Sequence, residues 1–156
     1  MNTVGNYFRS LTILHASLCL GVAVCIGVLK YIKPESTPTD SAQLFFIIGV
    51  VIAAICLVLS RVMLFRIASP AQQQPTLGHK LAMFRVGFIA QMALLEGAAI
   101  INVIFWFSGG NSYNLGVSLG LLFLMIFRRP ARTLVQGLVF NTTEDSKVIY
   151  NDEVEL

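Results

Sequence analysis

One acid stands inside a long apolar run. Glu96 lies 12 residues into the stretch 84–107, about 18 Å from its start on straight-helix geometry. A carboxylate that deep in hydrocarbon costs at least a few kcal/mol, and such groups face a bundle interior or a wet cavity. A carboxyl in this setting has two uses. Kept neutral, it donates a hydrogen bond and fixes helix packing. Reached by water, it binds and releases a proton or a cation. Arg85 sits on the same run, about 16 Å away along the axis, so it cannot pair with Glu96 within one helix. Depth matching sets residues 116–122 of the next apolar run beside Glu96. Ser118 is the polar group in that window, which predicts a Ser118–Glu96 hydrogen bond or a shared water. Asn102 reads as an interhelix hydrogen-bond donor. His15, Arg61 and Gln91 fall at similar depths, within roughly 10 Å of one membrane face. They form either a polar layer leading to Glu96 or three side chains that cap locally or snorkel outward.

Other chemistries find no set of residues. Cys19, Cys25 and Cys56 all lie in apolar runs, without a Cys-x-x-Cys pair or ligand spacing to histidine. The two histidines are His15 and His79, the latter in a polar link. No haem, zinc or other cofactor site is therefore predicted. There is no Ser/His/Asp set, no glycine-rich phosphate loop and no pair of carboxylates close in sequence within the apolar runs. The chain reads as a non-enzyme.

The elements that must hold Glu96 follow from composition. The 156 residues are 56% hydrophobic and 12% charged, against about 25% charged in ordinary soluble domains. That balance excludes a disordered chain, a disulfide scaffold and a typical cytosolic enzyme. Apolar runs predict an all-α bundle of four transmembrane helices at about 11–32, 44–64, 84–107 and 111–129, within a region 1–140. A span needs about 20 residues. The first three runs reach that length; the fourth is short, with a re-entrant hairpin as its alternative. The first run exceeds the 7–15-residue core of a signal peptide and reads as an uncleaved helix. Lys33-Pro34-Glu35-Ser36-Thr37-Pro38-Thr39-Asp40 and Ser69-Pro70-Ala71-Gln72-Gln73-Gln74-Pro75 are polar links. Ser108-Gly109-Gly110-Asn111 is a tight turn that makes helices three and four an antiparallel hairpin. After Arg128-Arg129-Pro130, the stretch 131–140 sets Leu134, Val135, Leu138 and Val139 on one helical face. It either lies on the membrane surface or continues helix four. Residues 141–156 form an acidic, mobile tail.

Charge then orients the chain. Residues 1–140 hold ten Lys/Arg and three Asp/Glu; residues 141–156 hold one Lys and five Asp/Glu. With four spans, the N-terminus, the middle link and the C-terminus share a side that carries Arg9, Arg61, Arg66, Lys80, Arg85, Arg128, Arg129 and Arg132. The other side carries Lys30 and Lys33. Positive charge stays cytoplasmic, so both termini are expected in the cytosol, and the sequon Asn141-Thr142-Thr143 faces away from glycosylation. The spread of basic residues does not suit nucleic acid. Small residues repeat at four-residue steps: Ala23 and Gly27, Gly49 and Ala53, Ala93 and Gly97, Gly116 and Gly120. Such steps let helices approach closely, within a chain or between chains. Trp106 and Tyr113 fit an outer interface belt, Tyr7 and Phe8 an inner one.

The stretch Ala93-Leu94-Leu95-Glu96-Gly97-Ala98, the following Asn102 and the closing Arg129-Pro130 resemble a family of uncharacterised small four-helix inner-membrane proteins of Bacteroidetes. The resemblance implies the fold and the inner membrane, but no activity. A lone mid-membrane Glu is also similar to the ring subunits of rotary ATPases, but the dense glycine repeat of those proteins is missing. The leading expectation is a non-enzymatic integral membrane protein, a homo-oligomer or a membrane-complex subunit, in which Glu96 fixes a contact. The alternative is an oligomeric proton, cation or small-solute transporter or channel that uses Glu96 as its binding carboxylate.

Overall fold

The computed structural model describes residues 3–32, 40–109, 111–140 and 147–156. The link at 33–39, Gly110 of the tight turn and the sequon lie outside the described residues. Among the described residues the chain is all-helical. The helices are α1 (Val4–Ile32), α2 (Ala42–Ala68), α3 (Leu77–Gly109), α4 (Ser112–Phe127) and α5 (Arg132–Val139), with short 3-10 turns at Ser69–Gln73 and Lys147–Tyr150. Helices α1 and α3, and α2 with its 3-10 extension, are long and apolar enough to cross a membrane. Helix α4 is apolar but has 16 residues, about 24 Å against roughly 30 Å of hydrocarbon.

The three long helices overrun the apolar runs at their polar ends. Helix α1 starts at Val4 rather than residue 11, α2 reaches Ala68 rather than 64, and α3 starts at Leu77 rather than 84. Apolarity marks only the part of a helix that must avoid water. The backbone ladder continues through Asn6, Arg9, His79 and Lys80, whose side chains water can satisfy. Helix α4 instead falls short of 111–129. Asn111 caps it, its side chain accepting from the Tyr113 amide at 3.0 Å. Arg128 leaves helical geometry, one residue before Arg129, whose helical conformation Pro130 disfavours.

The chain divides into two compact units. The first comprises Met1–His15, Arg61–Gln91 and Arg129–Leu156. Phe8, Leu11, Leu64, Leu81, Phe84 and Phe88 fill its core. The Tyr7 hydroxyl donates to the Leu81 carbonyl at 2.7 Å. Helices α2 and α3 come close at Gly87, where a Cβ would lie 3.3 Å from the Leu64 carbonyl oxygen. Helix α5 is a helix separate from α4. It packs on both 3-10 turns, burying Val135 and Val139, and Gln72 donates to the Leu138 carbonyl at 3.2 Å.

Residues 147–156 are docked in this first unit, contrary to the expectation of a mobile tail. The first amides of a helix have no partner inside it. Those of Val4 and Gly5 donate to the carbonyls of Val154 and Asp152 at 3.0 and 3.2 Å, and Thr3 bridges Glu155. Arg132 pairs with Asp152 and donates to the Tyr150 carbonyl at 3.3 Å. Ile149 is fully buried. The acidity of this segment suits the positive end of the α1 dipole.

The second unit comprises Ala16–Ser60 and Met92–Arg128, with α3 at its centre. Met92, Leu95, Ala98, Ala99, Val103 and Trp106 form the buried face of α3, joined by Val22, Ala53, Leu121 and Met125 from the other helices. Over the most apolar window of each helix, 44% of α3 is buried, against 22% of α1 and 17% of α2. Helices α1 and α2 thus turn most of their apolar surface outward, which is the pattern of helices solvated by hydrocarbon rather than water.

The docked tail gives a direct test. A Cβ on Gly5 would lie 3.1 Å from Asp152 Cβ, so Gly5→Val should displace the segment without unfolding the helices. Trypsin cleavage after Lys147 should become several-fold faster than in wild type, at unchanged helical circular dichroism. Equal cleavage rates would contradict the docking.

Candidate functional site

Glu96 occupies the flank of α3 in the second unit, half-buried at the edge of the packed face. Its carboxyl lies on α1, with Oε1 3.0 Å from the position a Cβ on Gly21 would take. Gly21 therefore lets the acid lie flat against the neighbouring helix. Among the described residues nothing is hydrogen-bonded to the carboxyl. The expected partner is engaged elsewhere: the Ser118 hydroxyl donates to the Ala99 carbonyl at 2.9 Å. Ala99 faces α4, whereas Glu96, three residues earlier, is rotated by about 60° toward α1. Matching depths found the right level on α4 but not the right face of α3. The same matching applied to helix one would have named Gly21.

A second polar group lies between α2, α3 and α4. The Asn102 amide donates to the Ala98 carbonyl on its own helix at 2.9 Å and to the Gly49 carbonyl on α2 at 3.2 Å. Asn114, which sequence reasoning missed, enters from the first turn of α4 and is also fully buried. A Cβ on Gly49 would collide with Asn102 Oδ1 and lie 2.8 Å from Asn114 Oδ1. Only glycine admits both amides. Asn102 Oδ1 and both polar atoms of Asn114 have no hydrogen-bond partner among the described residues. The available signal was the four-residue step from Asn114 to Ser118, which sets both on one face of α4.

The remaining polar residues differ in exposure. In the first unit His15 is buried with its ring 6.0 Å from that of Phe88, and Gln91 is buried as well. Arg61 is exposed and lines an open cleft of about 430 Å³ with Val62, Phe65, Arg66 and Ser69. Its long charged side chain avoids the packed interior and points outward. Trp106 is likewise not an exposed belt residue. It is buried, with the Lys30 ammonium 5.6 Å from its ring centre, while Tyr113 is exposed. Phe8 is buried and Tyr7 half-buried.

The small-residue steps divide sharply. Gly49 and Ala53 on α2 are buried. A Cβ on Gly27, Gly97, Gly116 or Gly120 would meet nothing within 4 Å, and Ala23 and Ala93 are exposed. Among the described residues, the glycines of the steps on α1, α3 and α4 have open space beside them. Cys19, Cys25 and Cys56 form no disulfide. Comparison with known protein families, with curated proteins and with solved structures finds no match to this chain.

Gly49→Ala should force the two amides apart and lower stability by about 1–3 kcal/mol, the usual cost of overpacking. Gly137→Ala, where a Cβ meets nothing within 4 Å, should leave stability unchanged or raise it by up to about 1 kcal/mol. Thermal unfolding in detergent measures both, and equal melting temperatures for the two variants would contradict the tight site at Gly49.

Proposed function

We propose that the chain is a multi-pass integral protein of the inner membrane, a non-enzymatic subunit that self-associates through the face carrying Glu96. The observation that carries this reading is the state of Glu96: half-buried on a membrane-length helix, without a hydrogen bond among the described residues, and close in sequence to small residues whose surroundings are open. A carboxyl left toward hydrocarbon is costly. A second copy covers it, supplies a hydrogen-bond partner and uses the close approach that Gly97, Gly116 and Gly120 permit. The reading agrees with the four-helix inner-membrane resemblance of the sequence.

Both termini are assigned to the cytosol. The unit that holds the start of α1, the end of α2, the start of α3 and the docked tail carries eight of the eleven basic residues, as positive-inside orientation requires. Helix α4, although short, is taken as the fourth membrane element of the bundle, with tilt or local thinning of the bilayer absorbing the mismatch.

Transport of a proton or cation is the second reading. It is favoured by one fact: Ser118 does not tie Glu96 down, so the carboxyl is available to load and release. Glu96→Gln and Glu96→Ala separate the two. Reconstituted in liposomes, wild type and both variants should show no difference in proton or cation flux. Glu96→Ala should weaken the oligomer at least about tenfold, and Glu96→Gln, which keeps a hydrogen-bonding group, should weaken it less. Flux that disappears in both variants would replace self-association with transport.

A further inference from the structure

The open cleft at the end of α2 belongs to neither role. It is lined by Arg61, Val62, Phe65, Arg66 and Ser69, with a volume of about 430 Å³. We propose that this cleft is a binding site for one anionic phospholipid, the two guanidinium groups and the Ser69 hydroxyl taking the phosphate while Val62 and Phe65 carry the start of an acyl chain. The inference rests on the membrane reading above.

Spacing makes the cleft. Val62, Phe65, Arg66 and Ser69 recur at three- and four-residue steps and so share one face of the last turns of α2 and its 3-10 extension. Arg61 flanks that face. The arginines are five positions apart, about 7.5 Å along the axis, near enough for two long side chains to converge on one phosphate. Neither arginine is paired with a carboxylate among the described residues. Both are exposed, and so is Ser69.

Charge and apolarity stand side by side here. Val62 and Phe65 are 44% and 50% exposed. A soluble phosphate would satisfy the arginines but leave these two side chains in water. A phospholipid satisfies both halves. Its phosphate accepts charge-assisted, bidentate hydrogen bonds from guanidinium groups, and its chain covers the phenyl ring and the valine. Basic clefts on the cytoplasmic side of membrane helices are suited to such head groups, and Arg61 is drawn toward that interface because its charge cannot stay in hydrocarbon.

The test uses the full chain. Carbonate-washed membranes are first assayed for the protein; its loss from them would overturn the membrane reading and this inference together. The retained protein is then purified in a neutral detergent. Native mass spectrometry and thermal unfolding compare added phosphatidylglycerol, phosphatidylcholine and inorganic phosphate. Phosphatidylglycerol should remain bound at one molecule per chain and raise the melting temperature by about 4 °C, with phosphatidylcholine and inorganic phosphate giving less than half of that. The double variant Arg61→Gln, Arg66→Gln should lose the bound lipid and the increment, and Arg129→Gln should keep both. Equal retention of both lipids by the wild type would overturn the inference. So would a full effect from inorganic phosphate, or an undiminished increment in the double variant.

Discussion

Asn102 reaches α2 only because Gly49 brings a bare backbone to it. In a helix surrounded by apolar side chains, an amide has few acceptors other than main-chain carbonyls, and those are shielded wherever a Cβ intervenes. The Asn102–Gly49 bond therefore demands glycine on α2, a close α2–α3 approach and a fixed rotation of α3. That rotation turns Ala99 toward Ser118 on α4 and leaves Glu96 facing α1, over Gly21. The polar residues of the second unit are thus consequences of one orientation of α3 rather than independent choices.

The large features were legible because they rest on long-range averages of composition. Runs of apolar residues mark three membrane-length helices and a shorter fourth, and Pro130 marks the break after α4. Rotation was not legible. A run such as 84–107 is apolar nearly all round, so it has no polar side from which to infer what faces inward. Depth along a helix could be counted from the sequence, and Ser118 was set at the right level. Its partner depended on an angle of about 60° that counting does not supply. Helix ends were hidden for a different reason: Asn6, Arg9, His79 and Lys80 are polar, and polarity looks like a loop although it is equally compatible with a hydrated helical turn. The tail misled in the same way. Its acids suggested a solvated end, while the backbone carbonyls of Asp152 and Val154, invisible in composition, do the docking.

Self-association explains an asymmetry in the use of small residues. On α2, Gly49 and Ala53 are consumed by packing within the chain. On α1, α3 and α4 the equivalent steps have open space where a side chain would go, and Glu96 sits at the edge of the packed face of α3 rather than at its centre. Small residues facing hydrocarbon contribute little dispersion contact of their own, but they let a second helix come near enough to pack and hydrogen-bond. A carboxyl at that edge gains from being covered, since it is costly in lipid.

Disulfide cross-linking in native membranes tests this most directly. In a background with Cys19, Cys25 and Cys56 replaced by alanine, single cysteines are placed at Gly97, at Gly116 and at Val58, an outward residue of α2. The account predicts covalent dimers from Gly97→Cys and Gly116→Cys under mild oxidation, and far fewer from Val58→Cys. Cross-linking that is absent at positions 97 and 116, or equally strong at 58, would contradict an interface built around Glu96.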